Sequence, residues 1–178
     1  MWSFIKTLKR YFHTLRYLKL IQFKYRLLRL FPKKINFREA KDLPVSSFSD
    51  PIWLKNKKET FDGKYFYFLN KKIEFSNEVW SKKHEDILWS YNCNYLDFIN
   101  EQTNFDKTKY ILAWIENTSL ENGISYDPYP TSLRIVNLIK WCLSNKNYDK
   151  KILNSIYFQT IVLSQNIEWH LLANHIIS

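Results

Sequence analysis

A chain of 178 residues that is 46% hydrophobic carries enough apolar side chains to bury a core, which excludes an intrinsically disordered protein. Aromatic residues reach 18% while Gly numbers two and Pro five, so there is much ring surface to bury and little of the turn chemistry that a fold of many short strands requires. The formal charge of +10 suggests nucleic acid until it is located: residues 1–41 hold 12 Lys or Arg and one acid, Glu39, whereas the rest of the chain holds 15 basic and 16 acidic residues, so no nucleic-acid partner is expected.

Over residues 4–31, Phe4, Leu8, Phe12 (or Tyr11), Leu15, Leu18, Ile21 (or Gln22), Tyr25 and Leu28 recur at intervals of three and four. The spacing predicts one amphipathic helix with a basic opposite face, ended by Pro32. Such a helix either packs on its own domain with its cations solvated or makes peripheral contact with an anionic surface. No stretch approaches the roughly 20 uninterrupted apolar residues of a membrane span. No uncharged signal-peptide core is visible either, so a cytoplasmic location is expected, with the periplasm as the alternative.

Residues 32–60, with Pro32, Pro44 and Pro51, read as an extended connection. A β-hairpin is predicted near residues 64–76, its strands running from Lys64 to Leu69 and from Ile73 to Phe75 around a turn at Asn70, Lys71 and Lys72. Helical patterns follow at 85–101, 104–118, 131–146, 149–165 and 167–178, with Asp106 and Thr131 as candidate caps. In the fourth helix Leu153, Ile156, Thr160 and Leu163, continued by Ile167, share one face. The expected organisation is therefore a basic helix at 1–31, a connection and hairpin at 32–83, and antiparallel helical hairpins over 84–178. Cys93 and Cys142 form no CxxC pair and have no His at zinc-ligand spacing, so no metal and no cofactor is expected; Cys142 reads as a buried thiol. The final residues, Leu171 to Ser178, stop inside a helical pattern without a C′ glycine, which suggests a parent protein that continues.

Three stretches carry a family resemblance. They are Leu88-Trp89-Ser90-Tyr91-Asn92-Cys93-Asn94-Tyr95-Leu96-Asp97-Phe98, then Tyr126-Asp127-Pro128-Tyr129-Pro130-Thr131-Ser132-Leu133-Arg134-Ile135-Val136-Asn137, then Asn166-Ile167-Glu168-Trp169-His170-Leu171-Leu172-Ala173-Asn174-His175. In this order they resemble the N-terminal region of the heparinase II/III-like polysaccharide lyases. The hairpin and the basic helix around Arg16 resemble that family's lead-in. Two departures stand out: Cys93 and Asn94 replace a pattern in which the family carries a histidine, and Ala173 stands where it carries glycine before Asn-His.

The resemblance implies a mainly α chain that forms the first part of an incomplete α/α toroid, from an enzyme that breaks uronic-acid glycosides by β-elimination. Asn174 matches the family's carboxylate-neutralising Asn and His175 follows it, so both are catalytic candidates. His170 and Asn174, four apart, would share a helix face. Arg134 and Tyr129 are candidates for meeting a sugar carboxylate through a bidentate contact and a stacked ring. Arg134 could equally cap a neighbouring helix or pair with Glu168, and Tyr126, Tyr129 and Trp141 could be core rings. The family's acid/base tyrosine and a further histidine follow the Asn-His motif, so this segment is expected to be inactive alone. The partner implied is a uronate-containing polysaccharide such as a glycosaminoglycan. The alternative is a non-enzymatic helical module that binds a membrane surface or anionic polymer through its basic helix.

Overall fold

The structure, a computed structural model, describes residues 59–81 and 86–166, with only the backbone at Asn122 and Gly123, and ten positions between Lys6 and Leu27. Those ten are Lys6, Thr7, Lys9, Tyr11, Phe12, His13, Arg16, Leu20, Lys24 and Leu27; each is helical and exposed. The predicted connection before residue 59 and the predicted helix at 167–178 lie outside the described residues. The chain divides into two compact units, residues 1–34 with 167–178, and residues 35–166. Among its described residues the second is mainly helical, with one short two-stranded antiparallel sheet.

Strands β1 (Tyr65–Phe68) and β2 (Lys71–Glu74) pair with Phe66 opposite Ile73 and Tyr67 opposite Lys72. The turn is Leu69-Asn70, both at positive φ (52° and 59°), as a two-residue type I′ turn requires. It therefore falls earlier than the predicted Asn70, Lys71 and Lys72. The register decides this, because a one-residue slip would swing the buried Phe66 and Phe68 out to solvent.

Phe61 bridges to Phe66 and forms the hub of an aromatic core. Its ring stacks on Phe66 at 4.2 Å and receives edges from Tyr110 at 4.8 Å, Phe98 at 5.1 Å and Phe105 at 5.2 Å. Such pairs add about 0.5–1.5 kcal/mol each beyond simple burial. Trp80, Trp89, Trp114, Ile111, Leu138 and Ile152 extend the same core, so hairpin and helices share one interior.

Helix α1 (Ile87–Asn94) starts at Asp86, whose carboxylate accepts from the Leu88 and Trp89 amides at 3.0 and 3.3 Å. The predicted helix over 85–101 is broken here. Leu96, fully buried, takes a left-handed conformation (φ 55°), and a single 3-10 turn (Asp97–Asn100) follows. Asn137 holds the break, donating to the Tyr95 carbonyl at 3.0 Å and the Asp97 carboxylate at 2.5 Å. Helix α2 (Lys107–Asn117) is capped by Asp106, as expected, through the Thr108 amide at 3.0 Å. Helix α3 (Pro128–Asn145) begins before the predicted start, with Pro128 in its first turn, where the missing N–H costs nothing. Thr131 is thus an interior residue, not a cap.

Helix α4 (Lys150–Gln165) is capped by Asp149 and packs along α3. Arg134 meets Gln159 about equally far from the joint, as in a helical hairpin. The fully buried residues of α4 are Ile152, Gln159 and Val162; of the predicted face Ile156 packs against the core, Leu153 and Leu163 are half-buried and Thr160 is exposed. Periodicity placed Ile156 correctly but took Thr160 for an inward position and passed over Gln159, because the inward position there is polar. Among the described residues no helix is long and apolar enough to cross a membrane.

Candidate functional site

The stretch from Asp127 to Asn137 places two of the candidate residues on α3, and it points them in different directions. Arg134 enters the core and is fully buried. Its Nε donates to Gln159 Oε1 at 2.8 Å, Nη1 to the Asn94 carbonyl at 2.9 Å and Nη2 to Thr131 Oγ1 at 3.2 Å. The guanidinium carbon lies 3.9 Å from the Trp114 ring centre and 5.7 Å from that of Tyr126. These acceptors are all neutral. Burial pushes the pKa down to about 9, which still leaves the group charged at neutral pH.

Asn94 is the last residue of α1, so Arg134 serves as a cation at that helix's C-terminal carbonyls, where the dipole favours it. This is the helix-capping role left open by the sequence. The bidentate grip on a sugar carboxylate is not what this position offers, because the forked donors are already committed to protein oxygens inside the core.

Around Arg134 the network closes. Asn94, also fully buried, donates to the carbonyls of Ser90 at 2.9 Å and Trp80 at 3.2 Å, and its Oδ1 accepts from the Trp114 indole at 2.9 Å. Ser125 Oγ donates to the same Trp80 carbonyl at 2.8 Å. Sequence reasoning missed Asn94, Gln159 and Trp114 as partners. The one signal pointing to them was Gln159 standing at core spacing between Ile152 and Val162.

Tyr129 behaves differently. It is 36% exposed, and its ring meets Tyr95 edge-on at 5.6 Å. Burial, with Tyr129 beside it, raises the Tyr95 phenol above its ordinary range. One turn back on α1, the Tyr91 hydroxyl donates to Asp127 at 2.7 Å. The result is a small tyrosine surface at the start of α3, and Tyr129 is its outward ring. Arg134 and Tyr129 are not brought together. His170, Asn174 and His175 lie outside the described residues.

A cleft of about 750 Å³ opens elsewhere, between residues 101–108 and the end of α3, lined by Thr103, Phe105, Lys107, Trp141 and Asn145 among others. Its floor includes Glu101, almost fully buried, whose carboxylate accepts the Thr60 amide at 2.9 and 3.0 Å and the Thr60 hydroxyl at 2.5 Å. Lys107 Nζ donates to the Glu101 carbonyl. Glu101 thus ties the start of the hairpin to the helices. Burial raises its pKa, and the Thr60 hydrogen bonds offset part of that.

Both cysteines are buried free thiols, Cys93 raised well above the ordinary thiol range and Cys142 pushed up to about 11, each mainly by burial. Among the described residues no three His, Cys, Asp or Glu side chains gather as metal ligands would. No protein-family model, no curated protein and no solved structure matches this chain.

Proposed function

We propose that this chain is the N-terminal helical part of a heparinase II/III-like polysaccharide lyase, which cleaves uronic-acid-containing polysaccharide by β-elimination, with residues 84–178 as the opening of an α/α toroid. The observation that supports the reading is the interlock between the first two stretches that carry the resemblance. Arg134 reaches the Asn94 carbonyl, Asn137 reaches Tyr95 and Asp97, and Tyr91 reaches Asp127. Residues of those two stretches thus hold each other in place in this chain, which supports the reading.

In such a reaction the proton on C5 of the uronate leaves while the adjacent carboxylate resists further negative charge. A neutral amide donor at that carboxylate lowers the barrier by stabilising the enolate-like state. Asn174 fills that role in this proposal, with His175 following it in the motif and His170 four residues before it in the sequence; Tyr129, whose ring is partly exposed, is the proposal's separate candidate for stacking on a sugar. In the family the acid/base tyrosine follows the Asn-His motif, so turnover in this proposal requires that tyrosine as well as Asn174.

The test is titration of the chain with uronate oligosaccharides of the heparan, chondroitin, hyaluronan and alginate types and with a neutral glucan, while ultraviolet absorbance follows any unsaturated uronate. Binding confined to acidic glycans and weakened by Asn174→Ala is the expected result. Growth of absorbance abolished by the same substitution would make the short chain a working lyase. No binding to any acidic glycan, together with no absorbance, would overturn the proposal.

A further inference from the structure

The described N-terminal positions combine charge with exposed apolar surface. Lys9, His13, Arg16, Leu20, Lys24 and Leu27 are all helical and all exposed, and successive members are three or four residues apart, the spacing of one helix face. Leu20 is 90% exposed and Leu27 56%. Tyr11 and Phe12 add further exposed rings. Residues 1–38 contain 11 Lys or Arg and no Asp or Glu, so the segment's charge is not cancelled within it.

From this we infer that the stripe seats the chain on an anionic lipid surface, with the cations at the headgroups and Leu20 and Leu27 entering the boundary with the acyl chains. Charge complementarity selects an anionic partner, with each Lys or Arg near such a surface contributing on the order of a fivefold gain in binding. The leucines select lipid over a soluble polyanion. A polyanion would meet the exposed cations Lys9 and Lys24 but would leave Leu20 in water, whereas a bilayer removes its apolar surface from water. The inference does not rest on the lyase reading, and it holds or fails whether or not the chain binds a uronate.

The intact chain is sedimented with vesicles of phosphatidylcholine alone and with vesicles that also contain phosphatidylserine. At least about tenfold stronger binding to the anionic vesicles, weakening with added salt, is expected. The double variant Leu20→Ser/Leu27→Ser should lose about tenfold on those vesicles yet keep its retention on immobilised heparin, while Leu20→Ile/Leu27→Ile keeps both. A wild-type chain with no preference for the anionic vesicles overturns the inference, and that comparison needs no variant. Equal vesicle binding by the Ser pair and the wild type also overturns it, and assigns the stripe to soluble polyanions instead.

Discussion

The guanidinium of Arg134 lies 3.9 Å from the centre of the Trp114 ring, and the same two side chains meet again through Asn94, whose carbonyl accepts from Arg134 and whose amide oxygen accepts from the Trp114 indole. A cation is held in the middle of an aromatic core by a π face and neutral oxygens. Replacing Arg134 with Ala would leave the Asn94, Gln159 and Thr131 oxygens without their donor and open a large cavity. We expect a loss of about 3–5 kcal/mol in urea denaturation. The pair Arg134→Met/Gln159→Leu, which refills the volume and removes one of the three acceptors with the donor, should recover part of it. An Arg134→Ala chain within about 1 kcal/mol of wild type would show that the network contributes little.

Glu101 makes stability depend on pH with a definite sign. Its folded pKa is raised above the ordinary 4.5, mainly by burial. Between that ordinary value and the raised one, the native state keeps a proton that the unfolded chain has released. Stability from this group is therefore highest below the ordinary value and falls as pH rises through the folded pKa. Urea midpoints measured across mildly acidic pH should decline with rising pH, and Glu101→Gln should flatten that decline. An identical slope in the variant would remove Glu101 as its source.

The hairpin turn carries avoidable strain. Leu69 sits at φ 52° and is half exposed, so it bears the steric cost of a left-handed backbone while burying little. Leu69→Asn keeps the turn and relieves that cost. A gain of about 0.5–1 kcal/mol is expected, seen as a rise in the thermal midpoint. A fall would mean that the Leu69 side chain contributes more through packing than its exposure suggests.

Cys93 and Cys142 should be inert in the folded chain. Both are buried, and burial raises both thiols, so little thiolate is present at neutral pH. A disulfide-exchange reagent is expected to label neither within minutes under native conditions and both in denaturant. Rapid labelling of one without denaturant would point to local opening around that helix.

Elements with strong local signals are legible in the amino-acid sequence alone. Alternating rings mark the hairpin, Asp106 marks the start of α2, and scarce Gly with regular apolar spacing marks the predominance of helix. The candidate site is legible only in part. Resemblance picks out Arg134 and Tyr129, yet their neighbours come from distant segments: Asn94 lies 40 residues from Arg134 and Gln159 lies 25 away. No local pattern encodes such a partner.

The amino-acid sequence by itself determined the class of fold, the basic character of the N-terminal segment and the abundance of rings for a core, because propensity, charge and periodicity act over a few residues. Tertiary structure decided where α1 stops, which face of α4 is buried and that Arg134 is a core cation. Each of those outcomes depends on long-range pairing. Asn137 satisfies the carbonyl exposed at the Leu96 break, and Gln159 turns inward because a buried guanidinium must find an acceptor once water is gone.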